Sequence, residues 1–168
     1  MLGDTSNLDF EAICAVLARF GVDGVIIGGV AGILHGTGLT TGDFDIVPVD
    51  SEENLARLTD ALLDLEAEVV QAGKVRRFPD GTWLRSTRMW NFETRLGKFD
   101  VLFAPAGAPP FEDLLEDSLV VPLDDGQHVR IASLDDLIAM KKAAGRNKDL
   151  LAIPILEYLR DRKEHPVD

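Results

Sequence analysis

The chain has 168 residues, with 17 Lys+Arg against 29 Asp+Glu, a net charge of −12 and a single cysteine. That length suits one domain with a core of ordinary size, and 46% hydrophobic with 27% charged residues is globular rather than disordered composition. No apolar run approaches the ~20 residues of a membrane span, the N-terminus MLGDTSNLDF has no secretory pattern, and one cysteine excludes an intramolecular disulfide or a multi-thiolate zinc site. A cytoplasmic protein without a membrane partner is the expectation, and the acidity argues against broad coating of nucleic acid.

The first predicted element is a helix over about Leu8 to Phe20, where Phe10, Ile13, Cys14, Leu17 and Phe20 share one apolar face. Cys14 on that face reads as inert packing, and Gly21 closes the helix. Gly24-Val25-Ile26-Ile27 reads as a buried strand running into a tight turn at Gly28-Gly29. A helix of one or two turns follows over Val30 to His35, then a strand over Phe44 to Val49.

Asp50 or Ser51 caps the next helix, to about Glu66, with Leu55, Leu58, Leu62 and Leu65 as its stripe. Val69-Val70, Trp83-Leu84, Met89 to Phe92 and, more strongly, Phe99 to Phe103 read as strands. The prolines of Ala104 to Pro110 forbid a regular element. Phe111 to Leu115 reads as a helix, and Leu119-Val120 with His128 to Ile131 as a hairpin. Ser133 and Asp136 cap a helix through about Ala144, and a last helix covers about Lys148 to Arg162, where Pro154 demands a kink or a first turn. The pattern predicts an α/β (α+β) fold with a mixed sheet flanked by helices. It forms a single domain over 1–168, with a core to about 104 and a C-terminal helical part over about 111–165.

Several motifs fail. The glycine-rich segment Gly28 to Gly38 contains neither a Walker loop nor a dinucleotide fingerprint. A calcium loop opening at Asp43 would need glycine where Pro48 stands and glutamate where Asn54 stands. His35, His128 and His165 share no ligand spacing.

One constellation survives. Alternation on a strand puts Asp43 and Asp45 on one face and Phe44 and Ile46 on the other. Asp100 lies in the apolar strand Phe99-Asp100-Val101-Leu102-Phe103. Three such carboxylates suit hard divalent cations, which activate an attacking oxygen and stabilise a leaving phosphate oxygen. Gly28-Gly29 lets backbone N–H groups approach phosphates at a helix N-terminus.

Gly28-Gly29, Thr41, Asp43-Phe44-Asp45 and Asp100 resemble the nucleotidyltransferase superfamily, with its polymerase-beta-like palm. Ala132 to Lys141, followed by Gly145-Arg146-Asn147-Lys148-Asp149, resembles its AbiEii/MenT-type toxin branch, and the likeness runs from about Val25 to Leu159. The resemblance implies a Mg²⁺ (or Mn²⁺) enzyme that moves a nucleoside monophosphate from an NTP to an acceptor hydroxyl. The acceptor would be tRNA or another RNA, or a protein, and a toxin of this kind would have a cognate antitoxin as partner. Asp43, Asp45 and Asp100 would be the metal ligands, with Asp100 also the base. Gly28, Gly29 and Thr41 would lie at the triphosphate, Lys141 would meet its charge, and Lys142, Arg146 and Lys148 would assist, oriented by Asp149. The branch often has arginine where this chain has Leu39. That departure keeps open a catalytically degenerate binding or regulatory module. A small-molecule (antibiotic) nucleotidyltransferase and a nucleotide-sugar glycosyltransferase also stay open.

Seven basic residues between Lys74 and Lys98 (Lys74, Arg76, Arg77, Arg85, Arg88, Arg95 and Lys98) interleave with Phe78, Trp83, Trp90 and Phe92. Two readings stay open: a groove that stacks bases, or a sheet with its aromatics inward and its arginines in water.

Overall fold

The structure, a computed structural model, describes residues 7–70 and 81–166. Its elements run α1 (Phe10–Arg19), β1 (Gly24–Ile27), α2 (Gly28–His35), β2 (Asp43–Pro48), α3 (Glu52–Asp64), β3 (Glu68–Val69) and a 3₁₀ turn (Gly81–Ser86). Then follow β4 (Met89–Thr94), β5 (Gly97–Leu102), α4 (Phe111–Glu116), β6 (Leu119–Pro122), β7 (His128–Ile131), α5 (Leu134–Ala144) and α6 (Asn147–Glu164).

The strands form one mixed sheet in the order β3-β4-β5-β2-β1-β7-β6. β2 pairs parallel with β5, β1 pairs parallel with β7, and the remaining pairs are antiparallel. The late hairpin therefore extends the same sheet beside β1.

Alternation divides the sheet into two unlike faces. On one, Phe44, Phe92, Phe99 and Val101 are at most 1% exposed, and Phe44 stacks on Phe99 with ring centroids 5.2 Å apart. Such a pair contributes about 0.5–1.5 kcal/mol beyond its buried area. The fully buried stripe of α3 (Leu55, Leu58, Leu62, just beyond it Leu65) joins this core. The other face carries Asp43, Asp45 and Asp100, with α2, α5 and α6 packed together beside it.

Two local expectations are corrected, at Gly28-Gly29 and Trp83-Leu84, and two open alternatives are decided, at the α3 cap and Pro154. Gly28-Gly29 is not a turn between strand and helix but the first turn of α2, which follows β1 directly. Ser51, not Asp50, caps α3, its Oγ accepting from Asn54 N–H at 3.2 Å. Trp83-Leu84 is no strand: it lies in the 3₁₀ turn, where Trp83 meets the Trp90 and Phe92 rings edge-on. Pro154 sits inside one continuous α6 rather than starting a new helix.

The structure also decides between the two readings of the aromatic and basic segment. Trp83, Trp90 and Phe92 pack against the core, Trp90 donates from Nε1 to Leu84 O at 2.9 Å, and Arg85 and Arg95 pair with Asp50 and Asp64. The rings point inward and these arginines outward, so the described half of this segment offers no stacking platform. Lys74, Arg76, Arg77 and Phe78 lie outside the described residues.

Candidate active site

β2 and β5 bring the carboxylates together because they pair in parallel register, with Asp45 directly opposite Asp100 and Asp43 opposite Lys98. β1 pairs on the other side of β2 and places Ile27 opposite Asp45. The chain enters α2 at the next residue, so Gly28 arrives against the Asp45 side chain.

Gly28 has φ +68°, a conformation costly for any residue with a side chain. A Cβ there would also fall on Asp45 Oδ2, inside van der Waals contact. At Gly29 a Cβ would come within 2.5 Å of Thr41 Oγ1. Both glycines are thus demanded by the close approach of the α2 N-terminus to the loop and strand bearing Thr41, Asp43 and Asp45.

The acidic pair is electrostatically loaded. Burial, then the Asp100 charge, a hydrogen bond to Asp100 and the Asp43 charge push the Asp45 carboxyl up to about 7, against an opposing pull from Lys141. Asp100 is also raised, by burial first, while hydrogen bonds from Asn91 and Asp45 hold it down. The hydrogen bond between the two carboxyls raises Asp45 and lowers Asp100. Asn91, opposite Asp100 on β4, donates from Nδ2 to Asp100 Oδ1 at 2.9 Å. Sequence reasoning missed Asn91, since only strand register identifies it.

Across the cavity, Ser133 caps α5 by accepting from Asp136 N–H at 3.1 Å, and the helix ends in Gly145 with φ +63°. The tight connection to α6 buries Asp149, 0% exposed, between two cations. Lys141 Nζ donates to Asp149 Oδ1 at 3.0 Å and Arg146 Nε to Oδ2 at 2.7 Å. The Arg146 backbone N–H adds a bond of 3.2 Å that caps α6. Burial opposes the Asp149 charge, but the bonds from Arg146 and Lys141 outweigh it and bring the carboxyl down to about 2.

A cavity of about 400 Å³ joins the two clusters. Its lining includes Gly28, Gly29, Thr41, Asp43, Asp45, Asp100, Lys141, Arg146, Lys148 and Asp149. Lys142 is not among them: its Nζ pairs with Glu157 Oε1 on α6 at 3.3 Å. The helical period turns it away from its neighbour Lys141. The cavity also has apolar walls that sequence reasoning missed, including Leu39, Met89, Leu102, Pro105 and Met140.

The histidines take no part. His35 Nε2 lies 2.8 Å from Ala132 O and its Nδ1 3.1 Å from Lys163 Nζ, and burial first lowers its pKa. A neutral ring, donating to Ala132 and accepting from Lys163, braces α2 against the start of α5 and the end of α6. Among the described residues no helix is long and apolar enough to cross a membrane.

No protein-family model matches the sequence, and no curated protein matches it. Solved structures do match the fold. The lincosamide antibiotic adenylyltransferase LnuA, bound to lincomycin, aligns over 91% of this chain and 99% of its own, with a TM-score of 0.60 and 14% identity. The antibiotic-resistance factor ANT(2'')-Ia aligns over 92% of this chain and 89% of its own, with a TM-score of 0.58 and 15% identity. The chain therefore has the mixed α/β fold of nucleotidyltransferases of known structure.

Proposed function

We propose that this protein is a divalent-metal-dependent nucleotidyltransferase, transferring a nucleoside monophosphate from an NTP to an acceptor hydroxyl. The observation that carries the reading is the Asp45–Asp100 pair on facing strands, with Gly28 pressed against it and the Lys141–Asp149–Arg146 cluster across one cavity.

A metal fits the chemistry of the donor set. Two facing carboxyls with raised pKa values disfavour a second negative charge, and a cation relieves that repulsion as a shared proton would. As the side chains stand, no three His, Cys, Asp or Glu groups among the described residues enclose an ion, so binding requires a small turn of the carboxylates. Asp43, Asp45 and Asp100 would hold Mg²⁺ or Mn²⁺. When bound, the ion would neutralise charge on the phosphates and the attacking oxygen.

The protein's own groups account for the rest. Gly28 and Gly29 open backbone N–H groups of the α2 N-terminus toward the triphosphate, beside Thr41. Lys141, Arg146 and Lys148 face its negative charge, with Asp149 setting the Lys141 and Arg146 directions. Asp100, held by Asn91, takes the acceptor hydroxyl proton. The acceptor oxygen bonds to the α-phosphorus as the bond to the bridging oxygen breaks, and pyrophosphate leaves with that electron pair.

The AbiEii/MenT-like segment supports an RNA or protein acceptor and a toxin with an antitoxin partner. LnuA and ANT(2'')-Ia, both named for antibiotics, support a small-molecule acceptor. Purified protein with Mg²⁺, each labelled NTP, and separate pools of tRNA, protein and small hydroxyl compounds tests the reading. Label should appear in one pool and disappear in Asp43→Ala. If no pool is labelled and NTP affinity does not depend on Asp43 and Asp45, the reading fails.

A further inference from the structure

The carboxylate face of the sheet is not uniform along β4 and β5. Cross-strand partners share a face. Three consecutive pairs on this one are therefore Glu93–Lys98, Asn91–Asp100 and Met89–Leu102. The sequence passes from ionic to polar to apolar in two steps, each of two residues and so roughly 7 Å.

The opposite face of the same strands is sealed, with Phe92, Phe99 and Val101 at most 1% exposed, whereas Met89 is 44% exposed. Met89 and Leu102 also line the cavity that holds Asp100, and the chain beyond β5 continues the same wall with Pro105 and Ala106. An open methionine beside a carboxylate pair costs apolar surface in water unless something covers it. The cavity's lysines and arginine lie on the other side, on α5 and at the start of α6.

Resting on the transferase reading above, we propose that Met89, Leu102, Pro105 and Ala106 form the acceptor subsite. They would select a small amphipathic alcohol with an apolar substituent roughly 7 Å from the hydroxyl that meets Asp100. A nucleic-acid end does not match this surface. Its next phosphate would fall on the apolar wall, where Met89, Leu102, Pro105 and Ala106 offer no charge to receive it.

The test uses two defined probes that differ only in apolar length, hexyl-β-D-glucoside and methyl-β-D-glucoside, titrated by ligand-observed NMR with and without Mg²⁺-ATP. Hexyl glucoside should bind at least tenfold more tightly than methyl glucoside. Met89→Gln should abolish that preference, and Met89→Leu, with similar volume and no polar atom, should restore it. Equal binding of the two glucosides, a preference untouched by Met89→Gln, or displacement of hexyl glucoside by tRNA would overturn the proposal. Absence of Mg²⁺-ATP binding alongside an intact, Met89-dependent preference would refute the transfer chemistry and uphold the apolar seat.

Discussion

Asp149→Asn tests the architecture of the basic cluster more sharply than any other single change. The substituted amide would keep the shape and lose the charge that faces Lys141 and Arg146 at 3.0 and 2.7 Å. The carboxyl stands at about 2 against an ordinary 3.8, which corresponds to roughly 2.5 kcal/mol of stability. Breaking a buried pair by removing one partner typically costs about 3–5 kcal/mol. Arg146 is 61% exposed and contributes little of that, whereas Lys141 is 17% exposed and would be left with its charge uncompensated. The expected loss is therefore about 2–4 kcal/mol, a fall of roughly 4–16 °C in Tm for a chain of this size.

The sign with pH follows from the lowered carboxyl. The stabilisation is complete above about 4 and disappears as pH falls through about 2, so the difference between native protein and variant should shrink across that window. Urea unfolding at pH 7 and pH 3 measures it. A loss under about 1 kcal/mol at pH 7, against the ~2–4 expected here, or a loss that does not diminish at low pH, would refute the reasoning.

Other outcomes follow from the same geometry. Asp45 has a raised carboxyl, so the folded state holds a proton that the unfolded chain releases between 3.8 and about 7. Stability through this group therefore falls as pH rises through that window, by at most about 4 kcal/mol. In EDTA at pH 8, Asp45→Asn should be more stable than the native protein, and thermal melts with no gain would contradict it. Gly28→Ala, which forces a Cβ onto Asp45 at φ +68°, should cost about 2 kcal/mol or more in chemical denaturation and reduce NTP transfer. Cys14 is 1% exposed and its thiol is pushed up to about 12, by burial first. At pH 8 a thiol reagent should label it only at the rate of unfolding, and rapid stoichiometric labelling of the folded protein would contradict that burial.

Much of the fold was legible because local signals agree. The α1 stripe, the Ser133 cap and the alternation Asp43-Phe44-Asp45 each need only period and cap chemistry, and each appears as expected. The misread segment was Trp83-Leu84, whose apolar pair also suits a strand. Its 3₁₀ turn goes with the tertiary contacts of Trp83 with the Trp90 and Phe92 rings on β4 and of Gly81 with Ala56 on α3, the latter 25 residues away in sequence. Lys141 and Lys142 are equivalent in charge and adjacent in sequence. Only the position of α6 separates them, giving one to Asp149 inside the cavity and the other to Glu157 outside it.

By itself the sequence determined which residue types were present in which period: three carboxylates on strands, two glycines ahead of a helix, and a capped helix ending in lysines. Those are one-dimensional properties, set by alternation and turn chemistry. The tertiary structure decided which of them meet. Parallel pairing of β2 with β5 puts Asp45 opposite Asp100, and antiparallel pairing of β4 puts Asn91 opposite Asp100 and Met89 opposite Leu102. Register is a relation between strands, and a slip of one residue would turn these side chains to the other face of the sheet.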